Sequence, residues 1–266
     1  MQFKRSLRKN RKGVSPAISM VIITAVTAVL VMVSGMYALQ VLQGQRATAE
    51  FDAVQKSVLA FDDAVRDIAW EQGGSRSIRF TNSYGNMRLI DSVQSYEITL
   101  SGFDYDDTLY EFTTAAVKYQ MPYGYGLTGI ESSYILGNES VAISTLTDSL
   151  GQVLVREESG LTSINLNYRV RVSEVGSMEV QGTIVNYVYI FVLKLSSANS
   201  TVGASDFDLV CKNVGLETIT RGPFAVNGLN PGVLVTLDGD QSSFIPLNDG
   251  NSFIFNIVIA DVGVSY

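Results

Sequence analysis

The chain has 266 residues, one cysteine, no histidine and a formal net charge of −7. Its length allows an anchor and one or two folded domains. One cysteine excludes an intrachain disulfide. The absence of histidine excludes Ser-His-Asp and Cys-His catalysis and the usual zinc ligand sets. Six of the 19 Lys and Arg residues fall in the first 13 positions, and all 26 acids follow residue 49. That leaves 13 Lys and Arg against 26 acids, an acidic body that gives no reason to expect nucleic-acid binding.

Residues 1–13 form a basic leader, and residues 14–45 carry no charge. The uncharged run is too long for the apolar stretch of an ordinary signal peptide. It exceeds the roughly 20 residues that span a bilayer core. Its Val, Ile and Thr content would favour a strand in water. In lipid only a helix satisfies its own backbone groups, so a transmembrane helix is expected. Pro16 suits the first turn, where the N–H groups are unpaired anyway. Ala17, Ala25, Ala28, Ser34, Gly35 and Ala38 are small enough for close helix packing. Basic residues beside a span stay inside, which places the N-terminus in the cytoplasm and the acidic body outside.

Residues 46–74 read as an amphipathic continuation of the same helix. Phe51, Val54, Val58, Phe61, Val65 and Ile68 recur at spacings of three and four. Asp52, Lys56, Asp63 and Asp67 occupy the other side, and Gly73 and Gly74 are natural stops. One helix from about residue 16 to 71 would be roughly 80 Å long. Its stripe is expected to cover a sheet of the same chain or neighbouring helices. Trp70 is expected to anchor its end.

Residues 75–266 read as an extracellular β-rich domain. Strands are expected at Ser77–Thr81, Met87–Ile90, Ser95–Leu100, Leu109–Thr113, Gln152–Arg156 and Ser163–Val172. Ile184–Leu195 is nearly all apolar and reads as a central strand buried on both faces. The small polar segment 196–205 is a long loop or a sub-boundary. Strands follow at Asp206–Lys212, Gly232–Leu237, Ser243–Leu247 and Ser252–Ile259. Asp238–Asp240 and Asn248–Asn251 are expected to be hairpin turns joining the last three. The fold class is α+β: a long N-terminal helix followed by an antiparallel β-sandwich-like head.

Asp104, Asp106 and Asp107 are three close carboxylates, the donor type of a calcium site, but their spacing is not that of an EF-hand and a solvated acidic turn is expected. Tyr119, Tyr123, Tyr125 and Tyr134 are interleaved with glycines, which predicts a recognition loop able to stack on surface glycans or meet a partner protein. Asn138 and Asn199 head N-glycosylation triplets. Cys211 reads as a small buried apolar residue. No nucleophile, base or metal motif stands out, so neither an enzyme nor a cofactor is expected.

Arg11-Lys12-Gly13 followed by Val14-Ser15-Pro16-Ala17-Ile18 resembles the class III signal of archaeal type IV pilins. In that family a prepilin peptidase removes the leader, the new N-terminus heads a long helix, helices bundle into a filament core, and a β-rich head faces outward. The resemblance places the cleavage between Gly13 and Val14. Ile18 would then be the fifth mature residue, where bacterial pilins carry Glu, which points to the archaeal branch. It implies a membrane-anchored surface protein whose partners are lipid, a prepilin peptidase and other pilin subunits in an adhesion filament. The alternative is a single-pass surface protein with a β-sandwich binding ectodomain that never polymerises.

Overall fold

The computed structural model of the chain describes residues 16–105, 107–122, 132–140, 142–144, 146–180, 182–198, 200–203, 205–228 and 230–266. One helix, α1, runs over Pro16–Ala69. The chain divides into two compact units between Arg46 and Ala47. The second unit holds the rest of α1 and the strands β1 (Ser75–Asn82), β2 (Asn86–Ser101), β3 (Thr108–Pro122), β4 (Ser133–Leu136), β5 (Ile143–Ser144), β6 (Gly151–Glu158) and β7 (Leu161–Tyr168). These are followed by β8 (Val170–Val180), β9 (Thr183–Ser197), β10 (Ser200–Val202), β11 (Ser205–Ala225), β12 (Gly232–Leu237), β13 (Gln241–Pro246) and β14 (Ser252–Ser265). A long N-terminal apolar helix is thus followed by a mostly β domain.

The strands form two sheets. One has six strands in the order β1-β11-β14-β9-β8-β5. The other has eight, in the order β13-β12-β2-β3-β7-β6-β4, with β10 paired to β2. Most pairs are antiparallel, as expected, but β14 runs parallel to β9 and β5 parallel to β8.

Several strands are longer or differently joined than their sequence suggests. Met87–Ile90 and Ser95–Leu100 belong to one strand, β2, with an irregularity between Ile90 and Gln94. Ser163–Val172 is not one strand. It breaks at Arg169, where the chain leaves the eight-stranded sheet at β7 and enters the six-stranded sheet at β8. Asp238–Asp240 does form a hairpin turn between β12 and β13. The Asp238 carboxylate accepts the Ser95 N–H at 2.8 Å, tying that turn to β2. Asn248–Asn251 is a crossing between sheets rather than a hairpin, because β13 and β14 lie in different sheets. Residues 196–205 do not divide the head, since Ala47–Tyr266 is one unit and β10 within them pairs with β2.

The apolar residues gather in two cores, and the strands change the face they bury between them. In β9, Val188, Ile190 and Val192 belong to one core, while Leu193 and Leu195 belong to the other. In β14 the change falls between Ile259 and Ala260, and in β3 between Phe112 and Ala115. Adjacent residues of a strand point to opposite faces. The even register of β9 against β14 therefore means that both strands use one face for each core. The expectation that β9 is buried on both faces is met at different ends of the strand, not along its length. Where the cores meet, the buried Thr114 Oγ1 accepts the Leu195 N–H at 2.9 Å and links the two sheets.

One of these cores contains α1. Phe51, Val54, Val58, Phe61, Val65 and Ile68 are at most 4% exposed and cluster with Met87, Val117 and Leu166 of one sheet and Leu195, Leu209 and Val262 of the other. Burying six such side chains is worth on the order of 10 kcal/mol. The helix ends at Ala69, and in the turn that follows Gly73 adopts φ +79°, a conformation that glycine reaches without a Cβ clash. Its last carbonyls point into the core, and Asn213 of β11 meets them: the amide donates to Ile68 O at 3.2 Å and to Ala69 O at 2.6 Å. Asn213→Ala leaves both carbonyls buried without this donor and is expected to cost about 1–3 kcal/mol. A urea-unfolding midpoint unchanged from the parent protein contradicts that account.

Candidate functional site

The first unit offers one feature, the apolar half of α1. By length and composition this helix can cross a membrane, and the relevant stretch has no buried residue. Met20 is 70% exposed and Val31 72%. Its polar side chains ask little of water. Thr24 Oγ1 donates back to Met20 O at 3.0 Å, and Thr27 Oγ1 to Ile23 O at 2.9 Å. Threonine hydroxyls bonded to their own helix are compatible with lipid or with another apolar helix. Gly35 has open space around the position a Cβ would take.

The expected recognition loop is corrected in part. Tyr119 lies inside β3 and is fully buried in the helix-containing core. Its hydroxyl donates to Glu50 Oε1 at 2.8 Å. The same carboxylate accepts the backbone N–H groups of Ser83 at 2.9 Å and Tyr84 at 3.0 Å, so α1 grips the β1–β2 turn. Gly85 packs against the Tyr119 ring so closely that a Cβ there would overlap it. Burial, then the Glu50 hydrogen bond, holds the Tyr119 phenol protonated. Tyr123 and Tyr125 lie outside the described residues. Tyr134 is on β4, half-buried, at the wall of a groove of about 520 Å³. Sequence reasoning missed this groove. It lies on the face of β3, β6 and β7 opposite the helix, because Lys118, Leu154 and Asn165 line it while Val117, Val155 and Ile164 are core.

Asn138 is engaged within the protein. Its amide donates to Asp148 Oδ2 at 2.7 Å, and its carbonyl accepts from Arg169 Nη1 at 2.7 Å. Arg169 is 1% exposed and also donates to Ser140 O at 2.8 Å and Ser149 O at 2.7 Å. Burial pulls this guanidinium below its usual range, and Asp148 partly offsets that. Asn138 is therefore part of what lets a cation sit where β7 passes into β8. Asn199, Gly13, Val14 and Asp106 lie outside the described residues. Asp104 and Asp107 are exposed, and no group of three or more His, Cys, Asp or Glu able to hold a metal occurs among the described residues. Cys211 is buried and free, and burial raises its thiol pKa. Trp70 meets Phe191 edge-on at 5.7 Å.

Asp62 is a buried carboxylate on α1. Arg66 Nε donates to it at 2.8 Å, and Arg66 also pairs with Asp63. Oδ1 has no hydrogen-bond partner among the described residues, and the Tyr168 hydroxyl is a neighbour rather than a donor to it. Burial raises its pKa, and the Arg66 charge only partly opposes this. A carboxyl raised in the folded state stabilises the fold below its unfolded value and loses that contribution as pH rises through the folded one. Asp62→Asn is therefore expected to gain stability relative to the parent protein as pH climbs from about 4 toward neutrality. Unfolding midpoints of the two proteins that run parallel across this window refute the assignment. Asn138→Ala removes one charge-assisted bond to the buried Arg169 and one to Asp148 and is expected to cost about 2 kcal/mol, read from the same unfolding curves.

Comparison with family models, with curated proteins and with solved structures gives no match to this chain.

Proposed function

We propose that the chain is a type IV pilin-like structural protein of an archaeal cell surface. Residues 14–45 hold it in the membrane, with the N-terminus in the cytoplasm and the β domain outside. After a prepilin peptidase removes residues 1–13, helices of several copies bundle into an adhesion filament. The observation that carries this reading is the apolar half of α1, exposed along its length and free of charge, heading a helix whose continuation belongs to the core of a β domain.

The physics favours such a switch. An apolar helix leaves lipid only if other apolar surface covers it, and that burial is worth about 25 cal/mol per Å². The six cations of the leader resist transfer across the bilayer. Cutting after Gly13 would remove them and leave a helix that lipid and neighbouring helices can each accept.

Mass spectrometry of the protein from its native membrane is expected to give Val14 as the first residue, and shearing of cells to release it in fibres. Gly13→Phe is expected to retain the leader and abolish recovery in the sheared fraction while membrane levels hold. A natural protein that keeps Met1 and stays in the membrane sinks the filament reading. It favours instead a non-polymerising single-pass surface protein with a binding ectodomain.

A further inference from the structure

The groove on the open face of the eight-stranded sheet is built from side chains outside the two cores, Leu237 excepted. Seven strands contribute to it, and Gln94, Asn165, Asn167 and Gln241 give it a carboxamide lining beside the Tyr134 ring. Its volume of about 520 Å³ lies within the range of small-ligand clefts, roughly 300–1,000 Å³. Two polar atoms at its wall are shut off from solvent and have no hydrogen-bond partner among the described residues: Gln94 Oε1, an acceptor, and Arg156 Nε, a donor.

Two cations, Lys118 and Arg156, meet two carboxylates, Glu158 and Asp238, so the groove and its rim carry no net charge. Glu158 takes Lys118 at 2.8 Å and Arg156 at 3.3 Å, so the two cations present no free field for a phosphate or a carboxylate. The Lys118 bond holds the Glu158 carboxyl below its usual range, which keeps that pairing intact at neutral pH. What remains is a set of carboxamides, each able to donate and accept, an orphaned donor, an orphaned acceptor and one aromatic face. The group that donates and accepts from a single atom is the hydroxyl. An aromatic ring beside such groups suits a molecule with an apolar face and a polar rim.

We propose that this groove binds a neutral carbohydrate, with the carboxamides of Gln94, Asn165 and Asn167 reading its hydroxyls and Tyr134 covering a sugar face. The assignment deepens the adhesive part of the function proposed above and rests on that reading only for its biological setting. The full chain, held in phospholipid nanodiscs free of glycosidic detergent, is titrated calorimetrically with maltose, lactose and mannobiose. At least one disaccharide binds, and raising sodium chloride from 0.1 to about 1 M leaves its affinity unchanged, because screening acts on charge and not on neutral hydroxyls. Asn165→Ala weakens it at least ten-fold. Gln241→Ala, at an exposed position of β13, weakens it several-fold and carries the test should the Asn165 variant not fold. No heat with any of the three sugars, equal affinity in a folded groove variant, or loss of binding in salt overturns the proposal. A first residue of Met1 would defeat the filament reading and leave these titrations untouched, so the two failures are told apart.

Discussion

A buried apolar stripe on one helix organises the β domain. Phe51 through Ile68 join residues of both sheets, so neither sheet completes this core without the helix. The polar contacts gather around that stripe. Glu50 holds the β1–β2 turn, Asp62 and Arg66 pair beside Tyr168, and Asn213 receives the final carbonyls. Each places a charge or an amide where burial would otherwise leave a backbone group or a carboxylate alone, which is costly in a low-dielectric interior. The same helix has a second surface of opposite character. Upstream of Arg46 it offers an exposed, uncharged and largely apolar surface. One continuous backbone thus carries two kinds of surface, and a single arginine, Arg46, stands between the uncharged run and the first core residue, Ala47.

Much of this was legible along the chain. The spacing of the helix stripe, the glycine stop and the uncharged run are strong local signals, and α1 over Pro16–Ala69 follows them closely. Short β segments with turn residues marked most of the strands. What failed to show is what local pattern cannot carry. Ile164, Leu166, Tyr168, Val170 and Val172 alternate without a fault, yet the first three serve one core and the last two the other. Alternation reports that a face is buried, not which neighbour buries it. Tyr119 was grouped with the glycine-spaced tyrosines after it. The contrary signal was Ala115, Val117, Tyr119 and Met121 on one face, a strand that runs on to Pro122.

The groove was hidden for a related reason. Its lining is drawn from seven strands, none of which shows more than a few of its residues. Only register brings Gln94, Asn165 and Gln241 to one concavity. Asn138 illustrates the reverse case. A glycosylation triplet is a statement about three adjacent residues. The bonds that employ this side chain reach Asp148 and Arg169, ten and 31 residues away.

The exchange of faces within the strands has a bearing on how such a domain avoids folding wrongly. In an ordinary two-sheet protein, a one-residue slip turns one buried face outward. Here β14 and β9 keep unbroken register from Ser252 against Val185 to Val264 against Ser197, and their two ends serve different cores. A slip of one residue in β14 would expose Phe253, Phe255 and Ile257 at one end and Val262 and Val264 at the other in the same move. Misalignment is therefore penalised twice, and no partly correct arrangement keeps either core. The pairing proofreads itself, a useful property in a parallel pair whose strands lie far apart in the chain.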